Sequence, residues 1–157
     1  FYDMEKHLML VGMPGSGKTT LGRKWSEEMR VPLYEMDEML EEKFGMSISE
    51  FVSLHGWEAF RDAEWNEIKE VLQKPMGVVV PGAGFFTNEL RVIFALSHFE
   101  VTYLHVSLEE LLFRFNDVSE RSKRPLLSNK NWKRVIEEMY EQRVFFYKKA
   151  HAIISTN

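Results

Sequence analysis

An α/β fold, with five parallel strands in one open sheet and helices on both of its faces, is the architecture this sequence predicts. Three observations predict it. Short apolar runs recur along the chain, each separated from the next by a stretch of helical character. The first run, His7-Leu8-Met9-Leu10-Val11, is followed at once by a glycine-rich turn that opens onto a helical pattern. The run Gly77-Val78-Val79-Val80 shows no polar alternation, which suits a parallel strand buried on both faces.

Each element follows in order. The first strand covers residues 7–11, and Thr20-Leu21-Gly22-Arg23-Lys24-Trp25 belongs to a helix over 18–30. The second strand is Val31-Pro32-Leu33-Tyr34-Glu35, with Pro32 suited to its first positions because proline cannot donate to a ladder. Residues 37–73 read as helical, interrupted near Gly45 and Gly56, and Ser47 with Glu50 forms a capping-box pattern. The third strand is 77–80; the turn Pro81-Gly82-Ala83-Gly84 and a helix near 88–97 follow. The fourth strand runs from Val101 to Val106, and Ser107 with Glu110 caps a helix reaching about Asn116. Residues 117–129 are polar and basic around Pro125. A long helix then extends to about Ala150, and Ala152-Ile153-Ile154-Ser155 is the fifth strand. Right-handed crossovers direct the carboxyl ends of the strands toward one crevice, where ligands bind in such sheets.

Size and composition narrow the function. A chain of 157 residues fits one domain, 1–157, and 45% hydrophobic with 28% charged residues is ordinary for a water-soluble protein. A net charge of −4 gives no general attraction to nucleic acid or to an anionic membrane. With no cysteine, thiolate metal sites and cysteine nucleophiles are excluded, in keeping with a cytoplasmic location. No apolar run approaches the roughly 20 residues of a membrane span. The expected start is Met4, with no room for a leader ahead of the first strand.

Gly12-Met13-Pro14-Gly15-Ser16-Gly17-Lys18-Thr19 matches G-x-x-x-x-G-K-[ST], the phosphate-binding P-loop. Glycines let the backbone turn so that N–H groups point at phosphate oxygens. Lys18 reaches the β- and γ-phosphates, Thr19 ligates Mg²⁺, and the following helix aims its positive end at the same anion. Gly15, Ser16, Gly17, Lys18, Thr19 and Thr20 are therefore the candidate nucleotide-binding residues. The loop alone does not separate a kinase from a GTPase or an ATP-driven machine. The short chain argues against most motors, and the lack of an Asn-Lys-x-Asp segment argues against a GTPase.

Downstream polar residues suggest the acceptor. Asp37, just past strand two, could orient or deprotonate a hydroxyl, or simply cap the next helix. Arg61 and Glu64 stand at i, i+3: a surface ion pair, or a guanidinium fork for a substrate carboxylate held in aim by Glu64. Gly82-Ala83-Gly84 could be a plain turn or a close approach of backbone to substrate. Arg121-Ser122-Lys123-Arg124 could be a solvated loop or a lid over phosphates. Arg143 could be one more surface charge.

Taken in order, Gly12–Thr19, Asp37, Phe60-Arg61-x-x-Glu64, Gly82-Ala83-Gly84, Arg124-Pro125-Leu126-Leu127 and Gln142-Arg143-x-x-x-Tyr147 resemble shikimate kinase from about residue 6 onward. The stretch Gly45–Phe51 leading to Gly56-Trp57-Glu58-Ala59-Phe60-Arg61 is similar too. The resemblance implies a P-loop, nucleoside-monophosphate-kinase-like fold with a mobile lid at about 117–129 and a substrate-binding helical segment at about 37–73. It implies transfer of the γ-phosphoryl of ATP to the 3-hydroxyl of shikimate, with Mg²⁺, on the route to chorismate and aromatic amino acids. Lys18, Asp37 and Arg124 become the catalytic residues. Arg114 and Arg124 join the nucleotide side. Asp37, Arg61, Gly82, Ala83, Gly84 and Arg143 bind shikimate, and Thr19 and Glu35 serve the metal. Partners are ATP and shikimate, with no nucleic acid or membrane, and a monomer is expected.

Two positions depart from the family pattern. Ala83 stands where the family has the middle of three glycines, which strains the turn if that position needs positive φ. Glu35-Met36-Asp37 replaces Asp-x-Asp. The family's adenine-side segment has no counterpart to carry over, so adenine contacts are not assigned. The other readings are a kinase for another small hydroxylated acid such as gluconate, and a catalytically impaired binding protein of the same fold.

Overall fold

The computed structural model describes residues 6–127 and 130–156. Met4 and the last two positions of the 117–129 segment lie outside them. The elements alternate as expected: β1 (Leu8–Val11), α1 (Lys18–Met29), β2 (Leu33–Glu35), α2 (Met36–Phe44), α3 (Ile48–Val71), β3 (Val78–Val80), α4 (Glu89–His98), β4 (Glu100–His105), α5 (Leu108–Arg114), α6 (Val118–Ser122), α7 (Trp132–Tyr147) and β5 (Ala152–Ser155). One five-stranded sheet results, in the order β2-β3-β1-β4-β5, with every pair parallel. The central position of β1 carries the P-loop out of the middle of the sheet.

Period-two alternation splits β1 between two cores. Met9 and Val11 face the larger one, with Val79, Val101, Tyr103 and the buried rings of Phe85, Phe99 and Phe115. Leu10 faces the other side, where Val78 and Val80 meet Leu21 and Trp25 of α1. The flat β3 pattern is explained by this double burial: all three valines are at most 1% exposed. β5 is an edge strand, and Ile153 is half exposed.

Helix boundaries follow local chemistry. The Ser47 and Ser107 hydroxyls accept hydrogen bonds from the Glu50 and Glu110 N–H groups, at 3.1 and 3.2 Å, as the capping pattern predicts. Gly45 ends α2 in the left-handed region, and Gly56, at φ 88° and ψ 166°, kinks α3. Two expectations are corrected. Asp37 does not cap α2: the Glu35 carboxylate does, accepting from the Glu38 N–H at 2.8 Å, and Asp37 sits in the first turn. The 117–129 segment is not an irregular loop throughout; it holds α6 and a 3₁₀ turn over Pro125–Leu127. The Asp117 side chain accepts from Ser119 and so starts α6 within a stretch whose charges suggested coil. Among the described residues no helix is long and apolar enough to cross a membrane.

Candidate active site

An open cavity of about 550 Å³ lies at the carboxyl ends of β1, β2 and β3. It is lined by the P-loop on one side, by Asp37, Arg61 and the Gly82–Gly84 turn on another, and by Arg124 and Arg143. Fourteen of the fifteen sequence-designated positions line it: Gly15, Ser16, Gly17, Lys18, Thr19, Thr20, Glu35, Asp37, Arg61, Gly82, Ala83, Gly84, Arg124 and Arg143 do so, whereas Arg114 does not.

The P-loop is shaped by its backbone. Gly15 and Gly17 lie at φ 79° and 96°, where a side chain would be strained, and this turns the chain into α1. The buried Lys18 ammonium donates to the carbonyls of Gly12 at 2.8 Å and Met13 at 3.3 Å. Burial lowers its pKa to about 7, an effect that Asp37 partly offsets and that Arg124 and Arg143 reinforce. The Ser16 hydroxyl is buried without a hydrogen-bond partner among the described residues. Arg114 stands behind the loop, held by Glu110 at 3.1 Å, and donates to the Gly15 carbonyl at 2.9 Å.

At the other end, two carboxylates meet the turn after β3. A Cβ at Gly82 would lie 2.9 Å from Glu64 Oε2 and 3.0 Å from Asp37 Oδ1, so any larger residue there would push these carboxylates aside. Burial, followed by the charge of Glu64, raises the Asp37 pKa, against the pull of Lys18 and Arg61. Glu35 is pushed up to about 7, chiefly by burial, with its capping bond opposing. The Arg61 guanidinium pairs with Glu64 at 3.0 Å, and Trp57 and Phe60 flank it at 5.4 Å. Of the two sequence readings, the surface pair is the one excluded: Glu64 is fully buried.

α7 closes the same end. Tyr147 donates from its hydroxyl to the Ala83 carbonyl at 2.9 Å, and Arg143 Nη1 reaches that carbonyl at 3.4 Å. None of Gly82, Ala83 and Gly84 has positive φ. Alanine at the middle position is therefore unstrained, which removes the ground that Ala83 alone offered for a catalytically impaired protein. Arg124 lies over the Phe115 ring at 5.2 Å and donates to the Glu120 carbonyl at 3.4 Å, half-buried beside the P-loop.

Sequence reading passed over Arg91. It reaches Glu64 from α4 at 2.8 Å, across 27 positions. No local pattern signals such a pair; the only hint was a carboxylate on a helix face otherwise committed to the core.

These features define a class: an ATP-dependent P-loop kinase acting on a small molecule. The comparisons narrow it. A family model described as shikimate kinase matches residues 14–157. A shikimate kinase of Clostridium botulinum (strain 657, type Ba4) is 39% identical over 150 residues, covering 95% of this chain and 86% of that protein. The structure of an Acinetobacter baumannii shikimate kinase in complex with shikimate superposes with a TM-score of 0.87 at 29% identity, covering 97% of this chain and 84% of that one. The chain belongs to the shikimate kinase family. A gluconokinase from Sinorhizobium meliloti, at 15% identity and a TM-score of 0.56, covers 98% of this chain and 84% of its own and shares the fold alone.

Proposed function

We propose that this chain is a shikimate kinase that moves the γ-phosphoryl group of ATP onto the 3-hydroxyl of shikimate. One observation carries the reading: Asp37 and two guanidinium groups, Arg61 and Arg143, share a cavity with the P-loop lysine. A small acceptor with one carboxylate and several hydroxyls matches that set, because guanidinium forks pair with carboxylates and a carboxylate accepts a hydroxyl proton.

Gly15–Thr20 cradle the triphosphate through backbone N–H groups and the α1 terminus, and the unpartnered Ser16 hydroxyl and the Lys18 ammonium turn to its oxygens. Phosphate charge restores the Lys18 proton that burial disfavours. Arg61 and Arg143 hold the shikimate carboxylate, while the Gly82–Gly84 turn lies against the ring. Asp37 then accepts the proton of the 3-hydroxyl as its oxygen bonds to the γ-phosphorus and the bond to the ADP oxygen breaks. Positioning and charge stabilisation supply most of the acceleration in such transfers. Arg124, just past α6 on the lid, covers the phosphates and limits transfer to water.

The residues fit Mg²⁺. Thr19, in the first turn of α1, and Glu35 both line the cavity. Among the described residues no three acidic or imidazole groups cluster into a protein cage. That is the donor set of an ion held by one or two protein oxygens, water and substrate phosphates. When bound, the ion neutralises charge on the β- and γ-phosphate oxygens. A monomer working in the cytoplasm completes the proposal.

The test is ADP release measured with and without shikimate and Mg²⁺. Turnover that requires both is expected. Folded protein that turns over ATP no faster with shikimate than without it overturns the reading.

A further inference from the structure

We infer that Arg91 is a positioning residue for the acceptor end of the cavity, acting through Glu64 on Arg61. The inference rests on the acceptor reading above. Glu64 is fully buried, and a buried carboxylate needs cationic partners. Its Oε1 accepts from both Arg61 Nη1, at 3.0 Å, and Arg91 Nη1, at 2.8 Å. Those two cations are differently placed. The Arg61 side chain is 35% exposed and faces the cavity, whereas that of Arg91 is 12% exposed and does not line it.

Arg91 is fixed from several directions. The Asn88 side chain caps α4 by accepting the Arg91 N–H at 3.0 Å, which sets the residue in the first turn. Its guanidinium lies against the rings of Trp65 and Phe85, at 5.6 and 5.4 Å. Nη2 donates to the Arg61 carbonyl at 3.0 Å, so Arg91 grips the backbone of Arg61 as well as its carboxylate partner. This fork joins α4 to α3 behind the Gly82–Gly84 turn.

The division of labour follows from charge. Were Arg61 the sole counter-ion of Glu64, its guanidinium would be drawn back onto that carboxylate, and a substrate carboxylate would compete for the same cation. Arg91 supplies a second, permanent positive charge. Arg61 then keeps one N–H on Glu64 for aim and presents its other donors to the cavity. Glu64 and Asp37 flank Gly82 together, so the carboxylate that Arg91 holds also borders Asp37.

The experiment is a double-mutant cycle of Arg91→Met and Glu64→Gln, with Arg91→Lys as the conservative variant, read as KM for shikimate, KM for ATP and melting temperature. Arg91→Met should raise the shikimate KM about tenfold and leave the ATP KM within about twofold, since only the acceptor end loses its aim. Arg91→Lys, which keeps the charge and loses the fork, should fall between wild type and Arg91→Met. In the Glu64→Gln background, Arg91→Met should add little, because the path between them is already cut. An active wild type whose shikimate KM is unmoved in both Arg91 variants overturns this inference alone. So does a parallel rise in both KM values, which marks a general loss of structure. If Arg91→Met does not fold, the lysine variant decides by the same two readouts. A folded wild type with no shikimate-dependent turnover removes the acceptor reading and this inference with it.

Discussion

The turn after β3 offers the sharpest test, through Gly84→Ala. A Cβ at position 84 would lie 2.7 Å from Arg61 Nη2, 2.9 Å from Nη1 and 3.1 Å from Cζ. Gly84 does not have positive φ, so alanine's backbone is unstrained and the whole effect is contact. The guanidinium must retreat by about 0.7 Å to regain ordinary van der Waals distance. The Arg61–Glu64 pair at 3.0 Å is then stretched or broken. Because the Arg61 side chain is about a third exposed, that loss is worth no more than about 1 kcal/mol of stability. For a chain of this size such a loss lowers Tm by about 2–4 °C. The kinetic cost is larger, since displacements near 1 Å in a positioning group cost up to about 10²-fold. We expect kcat/KM for shikimate to fall about 10- to 100-fold, or roughly 1.4–2.7 kcal/mol in transition-state stabilisation. Steady-state ADP release, with shikimate varied at saturating ATP and then the reverse, separates the two substrates. Ala83→Gly is the control: it should leave kinetics unchanged and cost about 0.4–1 kcal/mol through the unfolded chain. A Gly84→Ala protein with wild-type shikimate kinetics, or with both substrates impaired equally, would show that Arg61 does not serve the acceptor.

Further outcomes follow from the same geometry. Asp37→Asn removes the proton acceptor while keeping shape, so kcat should drop about 10²- to 10⁴-fold with ATP affinity nearly intact; calorimetric ATP binding alongside turnover checks this, and unimpaired turnover rejects the role. Lys18 has a pKa lowered to about 7, so above that pH the free protein has lost part of this proton. Phosphate charge raises the pKa again, and at pH 8 ATP binding should therefore take up protons. Calorimetry in buffers of different ionisation enthalpy measures the uptake, and Lys18→Met should abolish it; wild-type binding with no uptake contradicts the assignment. Tyr147→Phe deletes the hydroxyl that donates to the Ala83 carbonyl at 2.9 Å, leaving that carbonyl only the longer Arg143 contact. A stability loss of about 1–2 kcal/mol is expected from denaturant unfolding, and an unchanged midpoint would show the bond to be energetically silent.

What could be read from the linear chain is what depends on neighbours along it. The P-loop is legible because its eight residues build the anion site from their own backbone, so spacing alone specifies it. The caps at Ser47 and Ser107 are legible because a cap and its N–H partner lie three residues apart. The flat apolar run of β3 announced burial on both faces, and β5 was read at its observed bounds. Asp37 and Arg61 emerged as candidates from residue type and position, with a cap and a surface pair as open alternatives, and the family pattern gave them roles. Folding closed those alternatives, because Glu35 rather than Asp37 holds the end of α2 and Glu64 is buried. Local charge patterns hid α6, whose start depends on one Asp117 bond. The strand order, the clamp of Arg91 on Glu64, and the bond from Tyr147 to Ala83 across 64 positions have no local signature. They exist because parallel crossovers bring the ends of β1, β2 and β3 to one crevice and pack α3, α4 and α7 around it. A buried charge acquires its partners only when that packing forms, and those partners determine which cation faces the cavity and which is held behind it.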